Sequence, residues 1–220
     1  MAAPPSKLTI RRIFETDITE QQRKDIVDML TESFRQSMML NSIISMKVDA
    51  RDPFHRMCLL AGLDGGEVYV AETPSGEIVG AAIWVIPGRS FLDTKELQTK
   101  ALVPLVEALE PADSEYWMST YLPDYIKYTN ECFSEIGISK EAMWNLITLG
   151  VLPEYQRRGV SKSLLEPVTQ KAAQTGILRC LETDSETNVE IYTRMGYEVK
   201  GHYTFPKGDI TIPMWVMLGK

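Results

Sequence analysis

The chain has 220 residues, 44% apolar and 24% charged, with 30 acidic and 23 basic side chains and a formal charge of −7. That balance fits a globular chain with a sizeable core and excludes a general nucleic-acid binder, whose footprint is basic. Cys58, Cys132 and Cys180 are too scattered for a disulfide framework or a metal pattern; the opening MAAPPSK lacks the apolar core of a signal peptide and no apolar run reaches spanning length, so we expect a cytoplasmic or nucleocytoplasmic protein with no metal, membrane or nucleic-acid partner.

The segment KLTIRRIF alternates apolar and polar residues and predicts a first strand. Thr19 and Gln22 have the spacing of a capping box. From Glu20 to Arg35 the apolar side chains Ile26, Leu30 and Phe34 recur every fourth residue, which predicts an amphipathic helix. A second helix is expected from Pro53 to Gly62. EVYVAET, a PSG turn and EIVGAAIWVIPG predict a hairpin. Its second arm is apolar at both parities, with Val79, Ala81 and Ile83 on one side and Ile78, Ala82 and Trp84 on the other, as in a strand buried on both faces. Residues 88–143 read as a mostly helical insertion within one domain spanning 1–220.

Beyond it, MWNLITLGVL predicts a strand, Gly159–Thr175 a helix ended by Gly176, ILRCLET a strand and TNVEIYTRM a short helix stopped by Gly196. YEVKGHYTF, a PKGD turn and ITIPMWVML close the chain as a hairpin with Pro213 at an edge or bulge, because proline cannot donate to the ladder. Pro167 inside the long helix removes a hydrogen bond, at a cost of about 3 kcal/mol, so a kink or a late helix start is expected. The order β-α-α-β-β-(insertion)-β-α-β-α-β-β gives an α/β fold with a mixed sheet and helices packed on it.

The stretch LGVLPEYQRRGVSKSLL places Arg157, Arg158 and Lys162 around Gly159 at a strand-to-helix junction. A helix start leaves backbone N–H groups unpaired, and the dipole adds roughly half a positive charge there. Such a junction binds phosphates. The G-K-[ST] of a P-loop and the G-x-G-x-x-G of a dinucleotide fold are both absent.

Gln156-Arg157-Arg158-Gly159-Val160-Ser161 resembles the Q/R-x-x-G-x-G/A signature of the GNAT superfamily of N-acetyltransferases. LGV before it and LETDSETNVEIYTRMGYEV after it match in order and spacing, most nearly as in the puromycin N-acetyltransferase type of small-molecule enzyme. The likeness covers residues 144–220, with a weaker match over 8–86. Ser161 stands where the family prefers Gly or Ala. The resemblance implies a GNAT-type fold with a splayed central pair of strands and helices on both faces. It implies acetyl-CoA, or another short acyl-CoA, as cosubstrate, with its pyrophosphate on the amides of Arg157, Arg158, Gly159, Val160 and Ser161 and with Gln156 beside them. The pantetheine arm would run along the backbone of Leu149 and Val151, with Gly150 allowing a bulge that splays the strands.

Asn188 and Tyr192 lie four apart and share a helix face. The resemblance implies that Asn188 contacts the pantetheine arm and that Tyr192 lies near the cofactor sulfur, where a phenol can protonate a departing thiolate. An amine acceptor must lose a proton before it attacks. Glu182 is the first candidate for that base, with Asp184, Glu135 and Glu141 as alternatives, and the N–H groups of Gly150 and Val151 are candidates to polarise the thioester carbonyl. Direct transfer in a ternary complex is expected. His55 and His202 are expected to pack, and the cysteines are not expected to act as nucleophiles.

The acceptor pocket is expected from residues 20–60 and the insertion. Tyr116, Trp117, Tyr121, Tyr125 and Tyr128 stand there among Glu110, Asp113, Glu115 and Asp124, a mixture that suits a cationic, partly apolar amine or an ordinary packing layer. The Met-rich SMMLNSIISM is either a pocket wall or core. Three functions stand open: an acetyltransferase for small-molecule primary amines, a protein or peptide N-acetyltransferase, and an acyl-CoA-binding module without turnover, in a monomer or homodimer.

Overall fold

The computed structural model describes residues 8–220. MAAPPSK, on which the signal-peptide expectation rests and which includes the first residue of KLTIRRIF, lies outside the described residues. In chain order the elements are β1 (Thr9–Ile13), α1 (Glu20–Ser33), α2 (Met38–Ile43), α3 (Arg51–Gly65), β2 (Gly66–Glu72), β3 (Ile78–Val85), α4 (Lys95–Leu97), α5 (Val103–Ala108), α6 (Pro111–Tyr116), α7 (Leu122–Ser134), β4 (Trp144–Val151), α8 (Val160–Thr175), β5 (Arg179–Thr183), α9 (Glu186–Arg194), β6 (Tyr197–Lys207) and β7 (Ile210–Gly219).

The strands form one sheet in the order β1-β2-β3-β4-β5-β7-β6. β4 and β5 are parallel and pair only from Trp144 to Leu146 against Arg179 to Leu181. All other neighbours are antiparallel. Both faces are covered, as expected. On one face Ile26 and Leu30 of α1, Met57 and Leu59 of α3 and Phe133 of α7 belong to one apolar cluster with Ala81 and Ile83. On the other, Leu164, Leu165 and Val168 of α8 pack against Val79, Ala82 and Trp84, with Val189 and Tyr192 of α9 beside them.

Local signals account for much of this. Thr19 and Gln22 exchange the hydrogen bonds of a capping box at the start of α1. Gly176 and Gly196 adopt left-handed backbone after α8 and α9. Between α4 and α5, and again between α6 and α7, the chain passes through a π-helical turn (Gln98–Leu102, Trp117–Tyr121). Each is followed by a proline in the first turn of the next helix, Pro104 or Pro123, whose missing N–H disturbs the regular ladder. Pro213 lies beyond Trp215, the last residue of β7 paired with β5, so on that side it interrupts no ladder.

Three expectations change. The second helix begins at Arg51 rather than Pro53, with Pro53 in its first turn. Val79 is an extra residue opposite Ala71 and Glu72. The bulge reverses the parity, so Ile78 shares a face with Ala81 and Ile83, and Val79 with Ala82 and Trp84. Pro167 does not delay α8, which starts at Val160; the carbonyl it leaves unpaired belongs to the exposed Ser163.

His55 is buried at 0% exposure between the rings of Phe34 and Phe54, 5.2 and 5.3 Å away. Burial, reinforced by the nearby Arg51, holds its pKa down at about 3, from the usual 6.5. Below pH 6.5 the unfolded chain therefore binds a proton that the folded chain refuses, and stability falls as pH falls towards 3. We expect this one group to remove up to about 1.4 kcal/mol per pH unit in that window. In urea unfolding at pH 7 and pH 5, His55→Leu should lose measurably less stability on acidification than the parent; parallel losses would show that His55 does not drive it.

Candidate active site

The site is built where β4 parts from β5. Past Leu146 the two strands no longer pair, while β4 continues along β3 to Val151. The N–H of Leu152 donates to the Val79 carbonyl at 2.9 Å, which fixes the alternation of the antiparallel ladder. Ala81 and Gly150 then form a hydrogen-bonded pair, while Ala82–Leu149 and Gly80–Val151 do not. The N–H and C=O groups of Leu149 and Val151 consequently point away from β3, into the gap that β5 has left.

This corrects two expectations about Gly150. Its N–H faces Ala81 and is not released, so of the two expected amides only that of Val151 faces the gap. The bulge in β4 is at Ile147, since Ile83 pairs with Thr148 and Trp84 with Leu146. Gly150 is small for another reason. A Cβ there would lie 2.7 Å from Leu30 Cδ2 and 3.2 Å from side-chain atoms of Phe34 and Ser33, so the end of α1 rests directly on the strand.

The turn after β4 is tied back to it, with Gln156 Nε2 donating to the Val151 carbonyl at 3.0 Å. Arg157 (φ 60°) and Gly159 (φ 81°) are both left-handed, a conformation uncommon for arginine. Gly159 caps α8 without a side-chain acceptor, so the N–H groups of Val160, Ser161 and Lys162 point outward from the helix start. A Cβ at Gly159 would meet nothing within 4 Å; the glycine serves the backbone angle, and the space before it is open. Arg157 and Lys162 line this space. Arg158 turns instead over the Tyr155 ring, 5.7 Å from its centroid, and is absent from the lining. The expected trio of cations is a pair.

A cleft of about 1400 Å³ joins this turn to the end of α1, to α2, α9 and the start of β7. Leu149, Gly150, Val151, Asn188 and Tyr192 line it together. Tyr192 is half-buried, its ring edge-on to Tyr197 at 5.7 Å. Burial, with smaller contributions from Tyr197 and Asp184, pushes its phenol well above the ordinary range. Asn188 stands in the first turn of α9, capped by Ser185, and its Nδ2 donates to Asp184 Oδ1 at 3.3 Å.

Glu182 is not in the cleft. Its carboxylate accepts from Lys140 Nζ at 2.7 Å and from the Tyr125 hydroxyl at 2.8 Å, and both ends of the ion pair are largely buried. With both oxygens committed, it is not placed to serve as the base. Glu135 is exposed on the far side of α7, and Glu141 accepts from Ser90 at 2.6 Å. Of the four carboxylates considered, Asp184 is the one that lines the cleft.

The insertion aromatics do not line it either. Tyr121 packs against Trp117 and Phe205, Tyr128 stacks on Tyr203 at 4.5 Å, and Tyr125 holds Glu182. Glu110 pairs with Lys47, and Asp113 with Lys207. They form a packing layer. The Met-rich segment divides: Met38 and Met39 face the cleft, while Leu40, Ile43 and Ile44 are core. His202 stacks on Trp215 at 4.3 Å, and all three cysteines are buried and free. The sequence reading missed Ser37 and the wall supplied by Ile210, Ile212 and Pro213 of β7. Ser37 carries a signal that could have been used, because it caps α2 by accepting from the Leu40 N–H.

The charges in the cleft sort by partner. Glu32 pairs with Arg35 and Glu190 with Arg194. Among the described residues no ion pair engages the other three charged lining residues, Arg157, Lys162 and Asp184. Two free cations thus flank the helix start, and one free carboxylate stands at the β5–α9 link.

Residues 120–218 match the family model described as acetyltransferase (GNAT) domain. An uncharacterised N-acetyltransferase of Schizosaccharomyces pombe is 22% identical over 144 residues, 65% of this chain and 57% of that protein, so little more than half of the relative is matched. Among solved structures, a polyamine N-acetyltransferase of Drosophila melanogaster superposes with a TM-score of 0.64 at 13% identity, covering 96% of this chain and 99% of that one. An acetyltransferase of Corynebacterium glutamicum, described as histone acetyltransferase HPA2 and related, gives 0.62 at 19% identity, covering 96% and 94%. A putative arylalkylamine N-acetyltransferase of Aedes aegypti gives 0.62 at 15%, covering 96% and 87%. These likenesses establish the fold. Among the described residues, no helix is long and apolar enough to cross a membrane.

Removing one partner of the Glu182–Lys140 pair leaves a buried charge uncompensated. Glu182→Gln should therefore lower the unfolding free energy by about 3 kcal/mol, and adding Lys140→Met should restore part of it in a double-mutant cycle. Equal losses in the single and double variants would show that the pair does not anchor β5.

Proposed function

We propose that this chain, whose residues 120–218 match the acetyltransferase (GNAT) domain model, is an acyltransferase that moves an acetyl group from acetyl-CoA to a primary amine of a small molecule. The observation that carries this reading is the open edge of β4 leading straight into the uncapped start of α8, with Arg157 and Lys162 beside it and, among the described residues, no ion pair on either. Outward amides, a helix dipole and two free cations fit a diphosphate. The outward N–H and C=O groups of Leu149 and the outward N–H of Val151, whose carbonyl already accepts from Gln156, fit an amide-bearing arm laid alongside as an added strand.

Acetyl-CoA supplies an activated acyl carbon and a thiolate leaving group. The chain supplies the rest. Asp184 receives the proton that the acceptor ammonium must lose, directly or through water. The amine nitrogen then forms a bond to the acyl carbon as the carbon–sulfur bond breaks; the Tyr192 hydroxyl gives its proton to the sulfur, and the second proton that the nitrogen loses as it becomes an amide returns to the Tyr192 oxygen. The Val151 amide faces the gap where the carbonyl oxygen gains charge. Asn188 fixes the Asp184 carboxylate and lines the arm's path. Transfer is direct, within a ternary complex, and needs no metal and no enzyme-bound acyl group. A small acceptor, rather than an extended peptide, is favoured because the Ser37 hydroxyl donates to Asp184 Oδ2 across the cleft, closing α2 over its acceptor end.

Tyr192→Phe separates an enzyme from a binder. We expect kcat for thiol release to fall about 10²-fold, with the calorimetric Kd for CoA unchanged. Because burial raises the phenol pKa, Tyr192 stays protonated through the ordinary assay range. The wild-type kcat should then show no Tyr192-dependent decline below about pH 10. Undiminished turnover in the Phe variant would remove Tyr192 from the chemistry, and absence of CoA binding to the wild type would end the reading.

A further inference from the structure

We infer that the acceptor is a primary amine with an apolar body and no second cationic group, read by Asp184 against an apolar wall made by α2 and β7. This rests on the acyltransferase reading above and deepens it to a substrate class.

The first ground is the disposition of charge. Three carboxylates line the cleft, and two are already neutralised: Glu32 by Arg35 at 3.4 Å and Glu190 by Arg194 at 3.0 Å. Among the described residues Asp184 is held by neutral donors only, Ser37 Oγ at 3.3 Å and Asn188 Nδ2 at 3.3 Å. An ionised carboxylate accepts at about four sites, so capacity remains for an ammonium, whose charge-assisted bonds are stronger than those of the neutral donors. The carboxylate is also well fixed. Ser37 caps α2 while donating to it, and Asn188 belongs to the first turn of α9. Its position is set from both sides of the cleft.

The second ground is what surrounds it. Met38, Met39, Ile210, Ile212 and Pro213 line the cleft on the α2 and β7 side. Met38 is 78% exposed, although Leu40 and Ile43 of the same helix are core. Thioether side chains adapt to ligand bodies of different shape. A second ammonium on the acceptor would lie against this wall without a counter-charge, or would be driven towards Arg157 and Lys162. Either placement is unfavourable. The cleft therefore discriminates by charge count as well as by the presence of one amine.

The test compares hexylamine with 1,6-diaminohexane, which differ only by the second amine, in a thiol-release assay with acetyl-CoA. We expect kcat/KM for hexylamine to exceed that for the diamine by at least about tenfold. Asp184→Asn should lower hexylamine kcat/KM by about 30-fold, with the Kd for CoA and the thermal midpoint near those of the wild type. Met38→Glu, a substitution at an exposed first-turn position that suits an acidic residue, should raise kcat/KM for the diamine about fivefold by supplying the missing counter-charge. Equal or better use of the diamine by the wild type overturns the inference and leaves the acyltransferase reading standing. So does an Asp184→Asn variant that loses stability but no catalytic efficiency. Thiol release with no amine at all, despite CoA binding, overturns both.

Discussion

β4 and β5 run side by side for three residues and then separate, and the cleft exists because nothing fills the space between them. Several contacts enforce the separation. The bulge at Ile147 adds twist to β4 just where the pairing ends. The end of α1 bears on Gly150 from one face, and Leu164 of α8 reaches Gly80 of the adjacent strand from the other. β5 meanwhile keeps its register with β7 from Arg179 to Thr183. An open strand edge is ordinarily a liability. Here it lies inside the molecule, opposite the start of α8. Unpaired strand groups and unpaired helix amides therefore face the same space, and no single residue has to create the anion site.

Holding β5 away from β4 also requires an anchor on its other neighbours, and Glu182 provides it. Its ion pair with Lys140 and its hydrogen bond from Tyr125 join β5 to the segment before β4 and to α7. Buried ion pairs are weak contributors to net stability but strict about position. Two carboxylates, two residues apart, thus do different work. Glu182 fixes the strand, and Asp184, just past its end, has no ion-pair partner among the described residues.

What could be read from the sequence was what depends on neighbours in the chain. The capping box of Thr19 and Gln22, the glycines after α8 and α9, the two-faced burial of β3 and the strand–turn–helix at Gly159 all rest on residues a few positions apart. Which of Glu182 and Asp184 lines the cleft does not. Glu182 is held away from it by Lys140 and Tyr125, which approach from 42 and 57 positions away. The insertion aromatics were ambiguous for the same reason: their composition suits a pocket, but their partners, Phe205 and Tyr203, come from the C-terminal hairpin. The parity of β3 was misjudged because a bulge at Val79 has no composition of its own. Arg158 and Arg157 are alike as residue types, and only the left-handed backbone at Arg157 sends the two side chains to different places.

The overall charge of −7 gives these local arrangements their meaning. Under the proposed function, an acidic surface draws the amine in and works against a polyanionic cosubstrate such as CoA. The chain resolves the conflict by pairing rather than by excess. Of the four cations that line the cleft, Arg35 and Arg194 are paired with Glu32 and Glu190. Among the described residues Arg157 and Lys162 have no ion-pair partner, so their field adds to that of the α8 dipole at one end of a shared space. Asp184 sits across that space with its own charge uncompensated. The two ends then attract ligands of opposite sign, and the distance between them is fixed by the separation of β4 from β5. In the proposed ternary complex a cationic amine is drawn towards the Asp184 carboxylate and repelled from Arg157 and Lys162, which confines it beside Tyr192 and the exposed edge of β4.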